Sequence, residues 1–90
     1  MKQMEIPQEL VIELDYDSPL TPKEVKQFRP VLFEEDDHYC CLLGPDLEYA
    51  VIGRGATEDE AIDQWVIDCK SRLESTNQDD KVLQYMKDIL

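Results

Sequence analysis

The sequence has no long apolar run, no complete nucleotide-binding glycine motif and only one histidine, and these absences exclude several classes of protein. No stretch approaches the roughly 20 apolar residues that a helix needs to cross a bilayer. The first residues also lack the apolar stretch of a signal peptide, so we expect a cytoplasmic protein. Gly53-Arg54-Gly55 is followed neither by the further glycine of a dinucleotide fingerprint nor by the Gly-Lys-Ser/Thr of a P-loop.

The three cysteines, Cys40, Cys41 and Cys69, do not read as a disulfide framework, because their number is odd and two of them are adjacent. Neighbouring strand residues point to opposite faces of a sheet, so Cys40 and Cys41 are poorly placed to bind one metal ion. No second cysteine pair or histidine cluster completes a zinc pattern. We therefore expect reduced, mostly buried thiols, with no metal and no cofactor.

The net charge of -12 comes from 21 acidic residues against nine basic ones. Residues 31–48 contain six acids and no lysine or arginine. Such a surface repels a phosphate backbone, so we expect no direct binding to nucleic acid. It attracts a basic protein wherever salt does not screen the field. The alternative is that the acidity only keeps a small protein soluble.

Ninety residues, 42% of them apolar and 33% charged, predict one small globular domain. We expect a flexible leader over residues 1–9 and a single domain over residues 10–90. A half-buried strand is predicted over residues 10–16 from its period of two. After it, Thr21 has the position of a helix cap, with Pro22 as the first helical residue and Glu24 completing a capping box.

Two further strands are predicted over residues 31–35 and 39–43, with Asp36-Asp37-His38 as the polar turn between them. A fourth strand is expected over residues 48–53. Interspersed strands and helices with tight strand connections predict an α+β fold. In this fold a small antiparallel sheet of three to four strands is packed by one long amphipathic helix, with a short N-terminal helix and a C-terminal helix.

The corner after the fourth strand has the residues of a clean strand-to-helix junction. Thr57 and Glu60 have capping-box spacing, while Gly53 and Gly55 permit a bend or a close approach of another chain segment. A long helix is predicted from Glu58 to Leu73, and Trp65 is the largest residue of its apolar stripe.

A second apolar stripe lies on the last predicted helix, over residues 79–89. Its members are Val82, Leu83, Met86, Ile89 and Leu90. This stripe can pack on the chain's own sheet or face a second subunit, and the sequence does not choose between them.

No catalytic group stands out, so we expect a protein that is not an enzyme. Asp36, Asp37 and His38 lie in a predicted exposed turn, where a solvated histidine is far more common than a catalytic one. The thiols would need lowered pKa values to act as nucleophiles, and their acidic surroundings act in the opposite direction. An uncharacterised hydrolase would need a metal-dependent activity that one acid substitution abolishes.

Residues 30–73 resemble the HicB-like antitoxin family. The resemblance rests on Pro30 to Tyr39, on Pro45-Asp46-Leu47 and on Gly53 to Ile62, which keep the family's order of strand, acidic turn, Tyr-bearing strand, bend and Gly-x-Thr-x-x-Glu-Ala corner. The sequence departs from the family pattern in the bend and by one extra residue in the corner. Only about fifteen residues follow the long helix, so the DNA-binding domain that these antitoxins often carry is not expected.

The resemblance implies a degraded ribonuclease-H-like fold without the catalytic metal-binding carboxylates. It also implies a protein that masks a small basic RNA-cleaving toxin of the HicA-like kind. For contact with a basic partner we select Glu34, Glu35, Asp36 and Asp37, with Tyr39 and Arg54 nearby; their alternative role is an ordinary solvated hairpin. The alternative function is a homo-oligomeric (dimeric) structural or regulatory protein with no toxin partner, which the C-terminal stripe and any unpaired strand edge would favour.

Overall fold

A four-stranded antiparallel sheet and three α-helices confirm the predicted α+β class. The computed structural model describes residues 3–74 and 80–89. In chain order the helices and strands are β1 (Val11–Ile12), α1 (Lys23–Phe28), β2 (Val31–Glu35), β3 (His38–Leu43), β4 (Val51–Gly55), α2 (Glu58–Leu73) and α3 (Lys81–Ile89). Within the described part of the chain, no helix combines the length and the apolar character that crossing a membrane requires.

The sheet has the strand order β1-β2-β3-β4, and each strand pairs antiparallel with the next. Because side chains alternate along a strand, its two faces carry different clusters. The helix face contributes Leu32, Cys41 and Val51 to the main core. The outer face carries a smaller buried cluster of Phe33, Cys40, Leu42 and Ala50. The adjacent cysteines of β3 therefore lie on opposite sides of the sheet, as the sequence predicted.

Helix α2 has the predicted bounds and packs most closely against β4. Its Trp65 is fully buried in the main core. A Cβ atom placed on Gly53 would lie 2.1 Å from the Trp65 amide nitrogen and 2.4 Å from the Ala61 carbonyl oxygen. The helix backbone therefore rests directly on the strand at a distance that only a glycine permits.

Helix α3 packs its apolar face against the chain's own main core. Val82, Leu83 and Met86 are buried in the main core, whereas Ile89 is partly exposed. The predicted start at Asp79 and the last residue of the predicted stripe, Leu90, lie outside the described residues.

An ion pair ties the start of α3 to α2. The Arg72 guanidinium donates to Asp80 Oδ2 at 2.9 Å, to the Tyr49 carbonyl at 2.8 Å and to the Ala50 carbonyl at 3.1 Å. Asp80 Oδ1 in turn accepts from the Leu83 amide at 3.0 Å, as a helix cap does. One arginine thus holds α2, α3 and the segment before β4 together.

The N-terminal half of the chain differs from the prediction. The expected strand over residues 10–16 is reduced to two residues. Leu10 ends a short 3₁₀ helix (Gln8–Leu10), residues 13–15 have no regular structure, and a turn follows at residues 16–17, where the Tyr16 hydroxyl donates to the Pro30 carbonyl at 2.9 Å. The predicted capping box of Thr21 is wrong. Its hydroxyl donates to the Asp15 carbonyl at 2.6 Å, and α1 begins after Pro22 without a side-chain cap.

The fourth strand also begins later than predicted, at Val51, and continues to Gly55. Asp46 causes the delay, since its side chain accepts from the Tyr49 amide at 3.0 Å and its carbonyl accepts from the Ala50 amide at 3.1 Å. These two bonds close a turn over residues 46–50, where the first residues of the strand were expected.

Residues 3–6, part of the predicted leader, lie against the outer face of the sheet. The Gln3 side chain donates to the Leu42 carbonyl at 2.9 Å and accepts from the Gly44 amide at 2.7 Å. The Met4 amide donates to the Gly44 carbonyl at 2.8 Å. Met4 and Ile6 pack on the outer cluster, so this segment is called the N-terminal strap below.

Candidate functional site

The β2–β3 hairpin carries five of the six residues that the sequence selects for partner binding. Register pairs Glu35 with His38, so the turn contains only Asp36 and Asp37. Asp36 has a φ of 54°, a left-handed conformation that aspartate tolerates better than most residues other than glycine. His38, expected in the turn, is the first residue of β3. All four acids of the hairpin are exposed.

The strand register places the selected residues on both faces of the sheet. Glu34 is paired with Tyr39 on the helix face. Glu35 and Arg54 lie on the outer face, where Arg54 is the cross-strand partner of Cys40. Asp36 and Asp37 are at the tip. A partner therefore reaches all four acids only by enclosing the end of the hairpin, and not by lying flat on one face.

The acidic segment of residues 31–48 is divided into two groups by the length of β3. Glu34 to Asp37 lie at the start of this strand, whereas Asp46 and Glu48 follow its end. Five residue steps along a strand cover about 17 Å. This separation exceeds the screening length of about 8 Å at physiological salt. The four hairpin acids therefore act as one charged patch, to which Asp46 and Glu48 contribute little.

A mixed cluster of Glu35, His38 and Cys40 lies at the same end of the outer face. One potential ligand atom from each residue lies within 4.8 Å of the other two. The Cys40 thiol donates to Glu35 Oε2 with a separation of 3.6 Å. Cys40 is buried, His38 is half-buried and Glu35 is exposed.

Sequence reasoning missed this cluster because it tested Cys40 only with Cys41. The useful signal was the spacing around the turn. A two-residue turn makes Glu35 and His38 direct cross-strand partners, and Cys40 follows His38 by two residues on the same face.

The cysteine thiols have raised pKa values. For Cys40 the main cause is burial, followed by the hydrogen bond to the Glu35 carboxylate and the negative charge of that group, while Arg54 acts in the opposite direction. Burial raises the pKa of Cys41 to about 12 and that of Cys69 to about 11. At neutral pH all three side chains are therefore protonated thiols, which are poor nucleophiles.

Comparison of the chain with known protein families, with curated proteins and with solved structures finds no match. The fold class is thus defined by the structure itself. The resemblance to HicB-like antitoxins rests on the residue pattern alone.

Proposed function

We propose that this chain is a noncatalytic protein-binding module that presents its acidic hairpin to a small basic protein. The observation that carries the proposal is the run of four consecutive exposed carboxylates, from Glu34 to Asp37, at the end of two paired strands. None of the four forms an ion pair with a lysine or arginine among the described residues. Their mutual repulsion is relieved when a cationic partner binds.

The chemistry of the patch favours a partner that normally binds nucleic acid. A protein that cleaves RNA needs basic residues for the phosphate backbone, and closely spaced carboxylates compete for those residues. The HicB-like pattern suggests a HicA-like RNA-cleaving toxin as that partner. Three free cysteines fit a reducing compartment, so the proposal places both proteins in the cytoplasm.

The decisive experiment measures binding to the product of the adjacent reading frame, which the proposal requires to be a small basic protein. The test variant neutralises the hairpin through Glu34→Gln, Glu35→Gln, Asp36→Asn and Asp37→Asn. A control variant makes the same charge change at exposed acids elsewhere, through Glu5→Gln, Glu9→Gln, Glu13→Gln and Asp88→Asn. We expect the hairpin variant to associate at least about 10-fold more slowly at low salt, while the control changes little. Equal losses in both variants would show that total charge, and not the hairpin, attracts the partner.

The alternative is a homo-oligomeric structural or regulatory protein with no toxin partner. The apolar stripe of α3 does not favour this alternative, because Val82, Leu83 and Met86 are buried inside the chain's own core. What favours it is β4, an edge strand, together with the exposed Ile67 on the adjoining helix. Light scattering at micromolar concentration tests this alternative, since a monomeric mass would count against it and a dimeric mass that Ile67→Lys dissociates would support it.

A further inference from the structure

We propose that Glu35, His38 and Cys40 form a binding site for one divalent transition-metal ion, with zinc as the ion that fits best. The site shares Glu35 with the acidic hairpin but does not require the proposed partner, and the sequence predicts no metal binding by its residues. Three different donor atoms, a carboxylate oxygen, an imidazole nitrogen and a sulfur, converge within 4.8 Å of one another.

The backbone already sets the positions of the three side chains. Glu35 and His38 are held opposite each other by the antiparallel ladder, and β3 directs His38 and Cys40 to the same face. Cys40 lies in the interior of the sheet, because Phe33 pairs with it on one side and Arg54 on the other. Metal binding therefore requires side-chain adjustment and not rearrangement of the strands, which keeps its entropic cost small.

The distances suit a tetrahedral ion. Bonds of about 2.3 Å to sulfur and about 2.0–2.2 Å to nitrogen or oxygen place neighbouring ligand atoms about 3.3–3.7 Å apart. The Cys40 sulfur and Glu35 Oε2 are 3.6 Å apart, within this range. The other two pairs of ligand atoms are at most 4.8 Å apart, and side-chain shifts of about 1 Å bring them to the same range. Three protein ligands leave the fourth position for water or for a group on another molecule.

The donor set discriminates between ions. Mg²⁺ and Ca²⁺ take oxygen ligands, so a site with one thiolate and one imidazole is a poor one for them. Zn²⁺ accepts all three donor types, has no redox chemistry and is bound by cysteine and histidine in many proteins.

Binding must displace the thiol proton, because the thiolate is the ligand. The charged and titratable groups facing Cys40 are Glu35 on β2, His38 on its own strand and Arg54 on β4. Metal binding replaces the thiol-to-carboxylate hydrogen bond with two bonds to the ion and releases one proton from Cys40. The affinity for zinc therefore rises with pH, while Arg54 stabilises the thiolate charge that forms.

The test uses the full 90-residue chain, cleared of metal with a chelator and titrated with Co²⁺ as a spectroscopic substitute for Zn²⁺. We expect a thiolate-to-cobalt charge-transfer band that saturates at one equivalent and is abolished by Zn²⁺. Cys40→Ser should remove this band, whereas the matched thiol control Cys41→Ala should keep it. Absence of the band in the unaltered chain, or its persistence in Cys40→Ser, would overturn the proposal.

Variants at the less buried positions His38 and Glu35 keep the test valid if Cys40→Ser does not fold. His38→Asn and Glu35→Gln should each weaken Co²⁺ and Zn²⁺ binding at least about 10-fold, as loss of one ligand predicts. The neighbouring Asp37→Asn, which removes the same kind of charge without removing a ligand, should leave the affinity within about 2-fold. Equal weakening by all three substitutions would indicate attraction to a general acidic surface and would contradict a defined site.

Discussion

At the residue scale, Trp65 shows how a buried side chain can be predicted while its hydrogen bonding cannot. Its position on the apolar stripe of α2 predicts burial, because the stripe must pack on the sheet. The structure shows in addition that its indole nitrogen, Nε1, is buried without a hydrogen-bond partner among the described residues. An unpaired buried donor carries a desolvation cost of about 1–3 kcal/mol.

Substitution of Trp65 tests how much its buried ring contributes to stability. We expect Trp65→Ala to lower the free energy of unfolding by about 3–5 kcal/mol, because it leaves a large cavity. Trp65→Phe should cost clearly less, because it removes the unpaired N–H and keeps an aromatic ring. Urea denaturation of both variants measures the difference; a loss in Trp65→Phe as large as that in Trp65→Ala would contradict this prediction.

The buried thiol of Cys41 should make the free energy of unfolding depend on pH. Its pKa is raised by burial from 9.0 to about 12 in the folded chain. Above pH 9 the unfolded chain therefore loses this proton while the folded chain keeps it, so the stabilising contribution present below pH 9 declines as pH rises toward 12. The expected slope for this group is about 1.4 kcal/mol per pH unit.

Denaturation between about pH 8 and about pH 10.5 measures that slope. The variant Cys41→Ala should unfold with a smaller dependence on pH than the unaltered chain. Cys40→Ala serves as a comparison on the opposite face of the sheet, where the raised pKa has partly different causes. An identical slope in the unaltered chain and in Cys41→Ala would show that the pKa of Cys41 is the same in the folded and the unfolded chain, and would contradict this prediction.

At the element scale, the accuracy of the sequence prediction depends on whether local and tertiary signals agree. For α2, the cap of Thr57 and the apolar stripe both point to the same helix, and its predicted bounds match the structure; Thr57 Oγ1 accepts from the Glu60 amide at 3.1 Å. The reciprocal bond of a full capping box, to the Glu60 carboxylate, is not among the hydrogen bonds of residues 3–74. In β1 and α1 the signals conflict, because Thr21 bonds to Asp15 instead of capping the helix.

The cluster of Glu35, His38 and Cys40 is not predicted from the sequence, because here too a local signal is not sufficient. The hairpin was recognised from its polar turn, but the contact of Glu35, His38 and Cys40 depends on a register of one particular length. The sequence predicts a three-residue turn that includes His38, whereas the structure has a two-residue turn. A change of one residue in the length of the turn puts different side chains opposite each other. The cluster is therefore visible only once the pairing of β2 with β3 is known.

The close contact of α2 with β4 predicts a large loss of stability when Gly53 is replaced. Gly53→Ala should destabilise the fold by more than the 1–3 kcal/mol typical of overpacking, about 3 kcal/mol or more, because the new methyl group meets helix backbone. The exposed Ala56, a few residues further along the chain, provides a control in Ala56→Ser, with an expected change within about 0.5 kcal/mol. Thermal and urea unfolding report both. A loss below about 1 kcal/mol for Gly53→Ala would mean that the helix moves away from the strand without difficulty.

At the scale of the whole molecule, the net charge of -12 lies on a small body with a radius of gyration of 12.4 Å. Like charges confined to this volume repel one another, and they separate when the chain unfolds. Salt screens this repulsion over about 10 Å at about 0.1 M. The folded state is therefore least stable at low ionic strength.

We expect the midpoint of thermal unfolding to rise by several degrees between about 10 mM and about 200 mM NaCl, since about 1 kcal/mol corresponds to 4–8 °C in a domain of this size. The variant with Glu5→Gln, Glu9→Gln, Glu13→Gln and Asp88→Asn, which carries four fewer negative charges, should show a smaller rise in the midpoint. Calorimetry at matched pH provides the measurement. A midpoint that does not depend on salt would show that the acids are too far apart to repel one another.

The N-terminal strap has a consequence for the order in which the thiols react. Cys41 and Cys69 lie in the main core between the sheet and the helices, whereas Cys40 is shielded on its side of the sheet partly by Met4 and Ile6. A short segment with few contacts detaches far more often than a long helix does. An alkylating reagent or peroxide should therefore modify Cys40 first, and the rate of that modification reports how often the segment lifts away.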